Sequence, residues 1–334
     1  MATPRAGEGL ERGETLRVQG LDVDYVTEEG VVAAVRDMAF SLRAGEIVGI
    51  AGESGCGKST LAHAVCGLLR PPARIRRGRV ELGGQDLVGL SERAMRSIRW
   101  ERIAIVPQSA MNNLSPVLRV GDQIADAMLA HRPGTRAEAR EKARGLLQMV
   151  GMSRRHVASY PHELSGGMRQ RAVIAMALAL NPEVLVLDEP TTALDVIVQA
   201  AILGTIRDLR DQFGFAVLLI THDLPLLLQT VDRILVMYGG GLVESGSADG
   251  IWRRPRHPYT RALLGAFPPL TGPRARLEAI RGMPPNLLRP PAGCAFAPRC
   301  PLAGEACRRQ RPPLAVQGDA AAACWRWEAG EGEG

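Results

Sequence analysis

Five short apolar runs rich in β-branched residues predict buried parallel strands. These runs are Ile47 to Ala51, Ile103 to Val106, Val184 to Leu187, Ala216 to Thr221 and Ile234 to Met237. Helical patterns between them cover Leu61 to Leu69, Arg169 to Leu180 and Val196 to Gln212. The alternation predicts an α/β fold with a doubly wound sheet. Residues 120–164 have no strand pattern, so we expect a mostly helical insert between two strands.

The composition is typical of an ordinary globular protein, with 46% hydrophobic and 23% charged residues in 334. No apolar run is long enough to span a membrane, and the amino-terminal segment carries charges where a signal peptide would be apolar. Six cysteines without such a signal favour a reducing compartment over a disulfide scaffold. We therefore expect a cytoplasmic protein that does not span a membrane.

Composition changes near residue 250. Residues 251–334 hold 13 arginines against six acidic residues, together with 13 of the 23 prolines, whereas residues 1–250 have a net charge of −1. This shift predicts a balanced α/β domain followed by a basic, proline-rich, cysteine-bearing extension. The positive charge of the extension is compatible with a nucleic-acid surface, a surface facing anionic lipid or a partner subunit, or a solvated face.

A phosphate-binding motif follows the first predicted strand. It matches G-x-x-x-x-G-K-[ST] and comprises Gly52, Glu53, Ser54, Gly55, Cys56, Gly57, Lys58, Ser59 and Thr60. Glycines allow backbone N–H groups to face a phosphate, and the following helix directs its positive end at the same anion. We expect Lys58 to supply a charge for the outer phosphates and Ser59 to bind Mg²⁺. The alternative is a glycine-rich turn before a helix.

Two carboxylates end the third predicted strand. Asp188 and Glu189 lie at the edge where open α/β sheets bind ligands. We expect Asp188 to hold Mg²⁺ through its water shell and Glu189 to polarise the water that attacks a γ-phosphate. The alternative is a pair of solvated acids at a strand end.

A third motif lies between the predicted helical insert and the strand that carries these acids. It includes Ser165, Gly166 and Gly167 within Leu-Ser-Gly-Gly-Met-Arg-Gln. By itself this motif could be a helix start with affinity for an anion. Together with the other two motifs it resembles the signature of ABC-type ATPases, over about residues 15–250. The resemblance implies a P-loop NTPase core with a helical subdomain at about 110–175. It also implies that the Ser-Gly-Gly motif binds the γ-phosphate of an ATP held by the opposite subunit, so that two such domains hold two ATP molecules head to tail. Because the motifs occur once, a dimer is expected.

The resemblance implies roles for four more residues. Tyr25 matches the aromatic residue that stacks on adenine, although it could also simply be packed. Gln108 matches the glutamine that contacts Mg²⁺ and the attacking water and senses the membrane partner. Asp195 matches the loop that crosses the dimer interface. His222 matches the switch histidine at the γ-phosphate, although a lone histidine is usually a capped or surface residue.

Four cysteines lie close together in the extension: Cys294, Cys300, Cys307 and Cys324. Their spacing fits neither a common zinc motif nor a common ferredoxin motif, so a four-thiolate metal site and ordinary reduced cysteines both remain open. The segments Arg256 to Thr260 and Gly293 to Pro301 resemble the C-terminal extension of ATP-binding subunits of oligopeptide, dipeptide and nickel importers. That resemblance implies a [4Fe-4S] cluster on the four cysteines, as a fold staple or a redox sensor.

The sequence thus predicts the cytoplasmic ATPase subunit of a peptide-type ABC importer, peripheral at the cell membrane. The resemblance implies a second, identical or related ATPase subunit, two permease subunits and, indirectly, an extracellular solute-binding protein. We expect closure to reach the permeases through the region around Gln108 to Gln123, with no nucleic-acid partner. The alternatives are a soluble ABC ATPase acting on nucleic acid or ribosomes, and an extension that serves chiefly as a regulatory module. The transported solute is left open.

Overall fold

The computed structural model describes residues 13–108, 113–192, 194–266 and 280–328. The strands of this part of the chain are β1 Glu14–Thr27, β2 Gly30–Arg43, β3 Ile47–Ala51, β4 Ala73–Leu82, β5 Gln85–Asp86, β6 Ile103–Val106, β7 Val184–Asp188, β8 Ala216–Ile220, β9 Arg233–Tyr238, β10 Gly241–Ser247, β11 Ala315–Gln317 and β12 Ala320–Ala322. The α-helices are α1 Lys58–Val65, α2 Glu92–Ile98, α3 Val120–Leu129, α4 Arg136–Met149, α5 Gly166–Ala177, α6 Val196–Phe213, α7 Leu224–Thr230, α8 Ala248–Arg253, α9 Pro258–Gly265, α10 Glu305–Arg309 and α11 Trp325–Glu328.

The strands form two sheets. The larger has the order β11-β12-β10-β9-β3-β8-β7-β6, and its neighbours from β9 to β6 are parallel. The smaller is antiparallel, with the order β2-β1-β4-β5. The predicted α/β fold and its five parallel strands are confirmed, with bounds that differ by one residue at most.

Alternate residues of the parallel strands serve two cores, because successive side chains point to opposite faces of a sheet. In β3, Val48 and Ile50 pack with α1 and the antiparallel sheet. Ile47 and Ala51 pack with the helices on the other face, including α5 and α6. All five residues of each of β3, β7 and β8 are buried, which explains why these strands are apolar except for Asp188 at the end of β7. The carboxyl ends of these three strands thereby meet at one edge of the sheet.

The predicted helical insert is confirmed between β6 and β7, where α3 and α4 precede α5. Residues 109–112, at the start of the predicted helical subdomain, lie outside the described residues. Two predicted helices are displaced toward the amino end. The first begins at Lys58, within the phosphate motif, and ends before Gly67, whose φ of 61° does not continue a helix. The other begins at Gly166 because Ser165 caps it.

Two features went beyond the prediction. The sequence did not predict the antiparallel sheet. Its strand β1 mixes buried and half-exposed positions, and register shifts interrupt its pairing with β2, so no clear alternation marks it. The extension, in addition, joins the larger sheet through β12, which pairs with β10. The boundary near residue 250 stays a prediction based on composition, while the sheet itself continues into the extension.

Candidate functional site

The phosphate motif forms a tight loop between β3 and α1. The ammonium group of buried Lys58 donates to the carbonyl oxygens of Gly52 at 2.8 Å and Glu53 at 2.9 Å. Glycine is required at Gly52, because a Cβ there would lie 2.3 Å from the Met237 carbonyl oxygen, and at Gly57, where φ is 104°. The loop therefore holds the Lys58 amine beside backbone that can donate to an anion.

Asp188 reaches this loop from the end of β7. The Ser59 hydroxyl donates to its Oδ1 at 3.1 Å, across 129 residues of sequence. Burial raises the pKa of Asp188, while the Ser59 hydroxyl and the charges of His63 and Lys58 oppose that shift. Hydroxyl and carboxylate oxygens are ligands that Mg²⁺ accepts, so two of the three residues predicted to hold Mg²⁺ are in contact, and the third, Gln108, contacts Glu189.

Glu189 is the centre of a polar cluster at the same edge. Its Oε2 accepts hydrogen bonds from the Gln108 amide and the Thr192 hydroxyl, each at 3.0 Å. Its Oε1 lies 3.4 Å from His222 Nδ1. Glu189 has a φ of 48°, in the left-handed region that residues other than glycine seldom adopt. The structure thus brings together the three residues predicted to be catalytic, and it adds Thr192, whose role the sequence did not indicate.

Tyr25, on β1, lies beside the phosphate loop, Gly52 to Thr60, which is also called the cradle below. Its hydroxyl is 3.1 Å from the Thr60 Oγ1, at the start of α1. This contact fixes a half-buried aromatic ring next to the phosphate loop. The position is compatible with stacking on a base, and that role stays a prediction.

Ser165 and Asp195 both cap helices. The Ser165 Oγ accepts from the Met168 N–H at 3.3 Å, and the Asp195 carboxylate accepts from the Val198 N–H at 2.9 Å. Both Ser165 and Asp195 are exposed. Among the hydrogen bonds recorded for the described residues, none joins Ser165, Gly166 or Gly167 to the phosphate loop. Within one chain, the signature motif is therefore not part of the cluster around Lys58 and Glu189.

The four cysteines of the extension line one cavity, together with His257 and Phe296. They are free thiols, and the Cys294 N–H donates to the Cys307 carbonyl oxygen at 2.7 Å. Burial raises the pKa of the Cys294 thiol to about 11, and it also raises that of Cys300. Among the described residues, no group of three or more His, Cys, Asp or Glu side chains could hold a metal ion as placed, so the predicted [4Fe-4S] site finds no support in this geometry. The spacing in sequence predicted the proximity of the thiols but no metal geometry.

The extension also contacts the phosphate loop through residues to which the sequence assigned no role. The Tyr259 hydroxyl accepts from the Glu53 N–H at 2.9 Å. The Arg299 guanidinium donates to both carboxylate oxygens of Glu53, at 2.8 and 3.0 Å. These contacts span 206 and 246 residues of sequence. Contacts at such separations leave no local pattern in the sequence.

Across the described ranges, no helix is long and apolar enough to cross a membrane.

Comparison with known proteins identifies both parts of the chain. Residues 35–192 match the ABC transporter family, and residues 243–307 match the oligopeptide/dipeptide transporter C-terminal region. A probable peptide ABC transporter ATP-binding protein, y4tR of Sinorhizobium fredii, is 48% identical over 93% of this chain and 94% of its own length. The oligopeptide transport ATP-binding protein OppD of Salmonella typhimurium is 44% identical over 93% of each chain.

A solved structure supports the fold assignment. The ATP-binding cassette MJ0796, a dimer bound to ADP and phosphate, superposes with a TM-score of 0.63 at 27% identity, covering 70% of this chain and 98% of that one. The match to y4tR and OppD extends over nearly the whole length of both relatives. The chain therefore belongs to the ATP-binding subunits of the peptide ABC transporters, and its cassette is of the ATP-hydrolysing ABC type.

Proposed function

We propose that this chain is the ATPase subunit of a peptide importer, in which ATP binding and hydrolysis drive solute uptake through membrane permease subunits. The observation that carries the proposal is the convergence of Lys58, Asp188 and the Glu189 cluster at one edge of the sheet. The peptide substrate class is supported by the names of the relatives and by the family match over the extension.

ATP binding in the cradle uses the loop backbone and Lys58. The Lys58 amine, now bonded to the carbonyls of Gly52 and Glu53, supplies a point charge to the outer phosphates. Mg²⁺ would be held by Ser59, Asp188 and Gln108, and when bound it neutralises charge on the phosphate oxygens. Tyr25 would stack on the adenine, since its hydroxyl is anchored to Thr60.

Glu189 acts as the general base on the attacking water. Gln108 and Thr192 fix one of its carboxylate oxygens, so the other oxygen, beside His222, is directed toward the reaction centre. A base held in this way loses little orientation when it accepts a proton. His222 would then contact the γ-phosphate, and most of the acceleration would come from positioning and from charge stabilisation.

A facing subunit completes the site. Ser165, Gly166 and Gly167 are exposed or half-exposed, as expected of a motif that binds the γ-phosphate held by a mate. Next to Asp195, the apolar side chains of Val196 and Ile197 are 76% and 82% exposed. Exposed adjacent apolar side chains favour a protein interface. We infer a head-to-tail dimer with an identical or related subunit, with Asp195 in the loop that crosses between the two.

The helical insert provides the contact with the permeases. Val117 and Leu118, 77% and 45% exposed, lie between Gln108 and Gln123. The Gln123 amide donates to the Leu118 carbonyl oxygen at 3.0 Å, and the Gln108 amide donates to Glu189, so we expect closure of the dimer to reach a membrane partner through the segment between these two glutamines. The subunit would lie at the cytoplasmic face of the membrane, and a solute-binding protein would act on the other side.

The four cysteines of the extension would hold a [4Fe-4S] cluster. The support is the donor chemistry alone: four cysteine thiolates are the usual ligands of such a cluster, and all four thiols line one cavity. When bound, the cluster would add a redox-active centre that also ties together the segments carrying Cys294, Cys307 and Cys324.

The substitution Glu189→Gln tests the proposed function. It removes the base while keeping the shape of the side chain, so the variant should bind Mg-ATP as tightly as wild type. Its turnover should fall by about 100-fold or more, and it should accumulate as a dimer with ATP. Phosphate release and light scattering measure the two effects.

The matched control is Glu183→Gln. Glu183 lies at the opposite end of β7 and pairs with Arg102 at 2.6 Å, so its loss should leave turnover unchanged. Unchanged turnover in Glu189→Gln would remove Glu189 from the role of base. Wild-type protein that fails to bind Mg-ATP would overturn the function itself.

The alternative of a soluble ATPase acting on nucleic acid or ribosomes gains no support from the relatives y4tR and OppD, both of which are named as transport proteins.

A further inference from the structure

Within the described part of the chain, the side chain of Glu53, inside the phosphate loop, is hydrogen-bonded by the extension alone. Both of its carboxylate oxygens accept from the Arg299 guanidinium, at 2.8 and 3.0 Å. Its backbone N–H donates to the Tyr259 hydroxyl at 2.9 Å. A two-point Arg–carboxylate contact fixes the relative orientation of both groups, unlike a single ion pair. Glu53 is thus fixed at its side chain and at its N–H.

Arg299 is itself fully engaged. Nε donates to the Arg281 carbonyl at 2.9 Å, Nη2 to the Ile280 carbonyl at 3.1 Å, and Nη1 to the Tyr238 hydroxyl at 3.1 Å. With the two bonds to Glu53, these account for all five N–H donors of a guanidinium. Only 5% of the side chain is exposed.

Aromatic rings pack against the same guanidinium. It lies 5.8 Å from the ring centre of Tyr238 and 6.0 Å from that of Phe296. The carboxylate of Glu53 raises the pKa of Arg299 further above its ordinary value. Arg299 is therefore a permanently charged partner that its hydrogen bonds and ring contacts hold in one orientation.

Glu53 passes this constraint to the phosphate-binding groups. Its carbonyl oxygen accepts from the Lys58 amine at 2.9 Å and from the Cys56 N–H at 3.3 Å. One residue therefore joins Arg299 of the extension to Lys58 of the cradle. Its carboxylate would repel a triphosphate in the same loop if Arg299 did not neutralise it.

We propose that Arg299, assisted by Tyr259, is a positioning residue of the ATP site. It acts through Glu53, fixing the phosphate loop and cancelling the one negative charge within it. The extension is then part of the ATP site rather than an appendage to it. This inference rests on the proposed function, because it assumes that the loop binds ATP.

The test is a double-mutant cycle on purified full-length protein, with fluorescent mant-ATP and Mg²⁺ as the probe. Arg299→Gln should raise the Kd by about tenfold, because it frees Glu53 and leaves its charge uncancelled. Adding Glu53→Gln should bring the Kd back to within about threefold of wild type, since the repulsive charge is gone. Arg299→Lys, which keeps the charge but not the two-point contact, should fall between these values.

Two further variants keep the result interpretable. Arg253→Gln removes an arginine of the same extension that is 72% exposed and pairs with Asp249, so it should not change the Kd. Tyr259→Phe deletes only the hydroxyl that accepts from Glu53, and a Kd increase of about threefold is expected. It serves as the test if Arg299→Gln does not fold.

The outcomes are distinct. Wild-type affinity in folded Arg299→Gln, or in Tyr259→Phe where only that variant folds, overturns the inference. The inference is also overturned if Arg299→Gln weakens binding and lowers the melting temperature, and Glu53→Gln does not restore binding. That pattern is expected of a residue whose role is purely structural. Wild-type protein that does not bind mant-ATP removes the proposed function, and the cycle is then not reached.

Discussion

Glu244 should anchor the extension to the core. Its side chain on β10 is fully buried and accepts from the N–H groups of Arg256 at 2.7 Å and His257 at 2.8 Å. These N–H groups precede α9, whose Tyr259 contacts the phosphate loop. We predict that Glu244→Ala loosens this attachment, because it leaves two buried donors without their acceptor.

The magnitude follows from the two bonds. Hydrogen bonds to a charged acceptor contribute about 1.5–3 kcal/mol each, so losing both costs about 3–6 kcal/mol. The burial that raises the pKa of Glu244 offsets part of this loss, since the variant no longer buries a carboxylate. A net destabilisation of about 2–4 kcal/mol remains, which lowers the melting temperature by about 4–8 °C in a protein of this size. Glu244→Gln, which keeps one acceptor oxygen, should lose about half as much.

Tryptophan fluorescence during urea unfolding is the assay. Three of the four tryptophans, Trp252, Trp325 and Trp327, lie in the extension, so the signal reports mainly on its attachment. Glu305→Ala is the control, because Glu305 is 74% exposed and pairs only with Arg309 on its own helix. A urea midpoint for Glu244→Ala equal to that of this control would refute the reasoning that Glu244 anchors the extension.

Two other predictions concern the extension. Burial lowers the pKa of His257 to about 3 in the folded protein, whereas in the unfolded chain it is about 6.5. Below pH 6.5 the unfolded chain therefore binds a proton that the folded protein does not, and stability falls as the pH is lowered. Between pH 7.5 and 5.5, metal-free protein should lose about 1.4 kcal/mol of unfolding free energy more than His257→Gln does, and equal losses in urea titrations would contradict this. Protein purified without oxygen should be brown, with about four iron and four acid-labile sulfide per chain. Cys300→Ser should lose this iron and Cys66→Ala should keep it, whereas colourless protein with zinc or no metal would exclude the cluster.

Sequence reasoning worked where a residue's role depends on its neighbours along the chain. The strand Ile47–Ala51 was predictable because burial on both faces demands an unbroken apolar run. The cradle was predictable because phosphate binding needs glycines and a lysine at fixed spacing. Asp188 and Glu189 followed from the position of a strand's carboxyl end.

Other contacts depend on the tertiary fold and leave no local pattern. Arg299 meets Glu53 across 246 residues, and nothing in the segment around Arg299 distinguishes it from the other arginines of the extension. Strand β1 was hidden because its partners, not its own alternation, determine which positions are buried. Thr192 follows Glu189 by three residues, and the left-handed turn at Glu189 brings its hydroxyl to the carboxylate.

The pairing of β12 with β10 has a consequence for solubility. Without it, β10 would present unpaired backbone groups along the outermost strand of the larger sheet, a template on which other chains can assemble. The strand that takes its place, β11, has only three residues and offers little to copy. Strands β11 and β12 thus protect the edge of the larger sheet from pairing with other chains. A protein truncated before Ala315 should aggregate through its exposed β10.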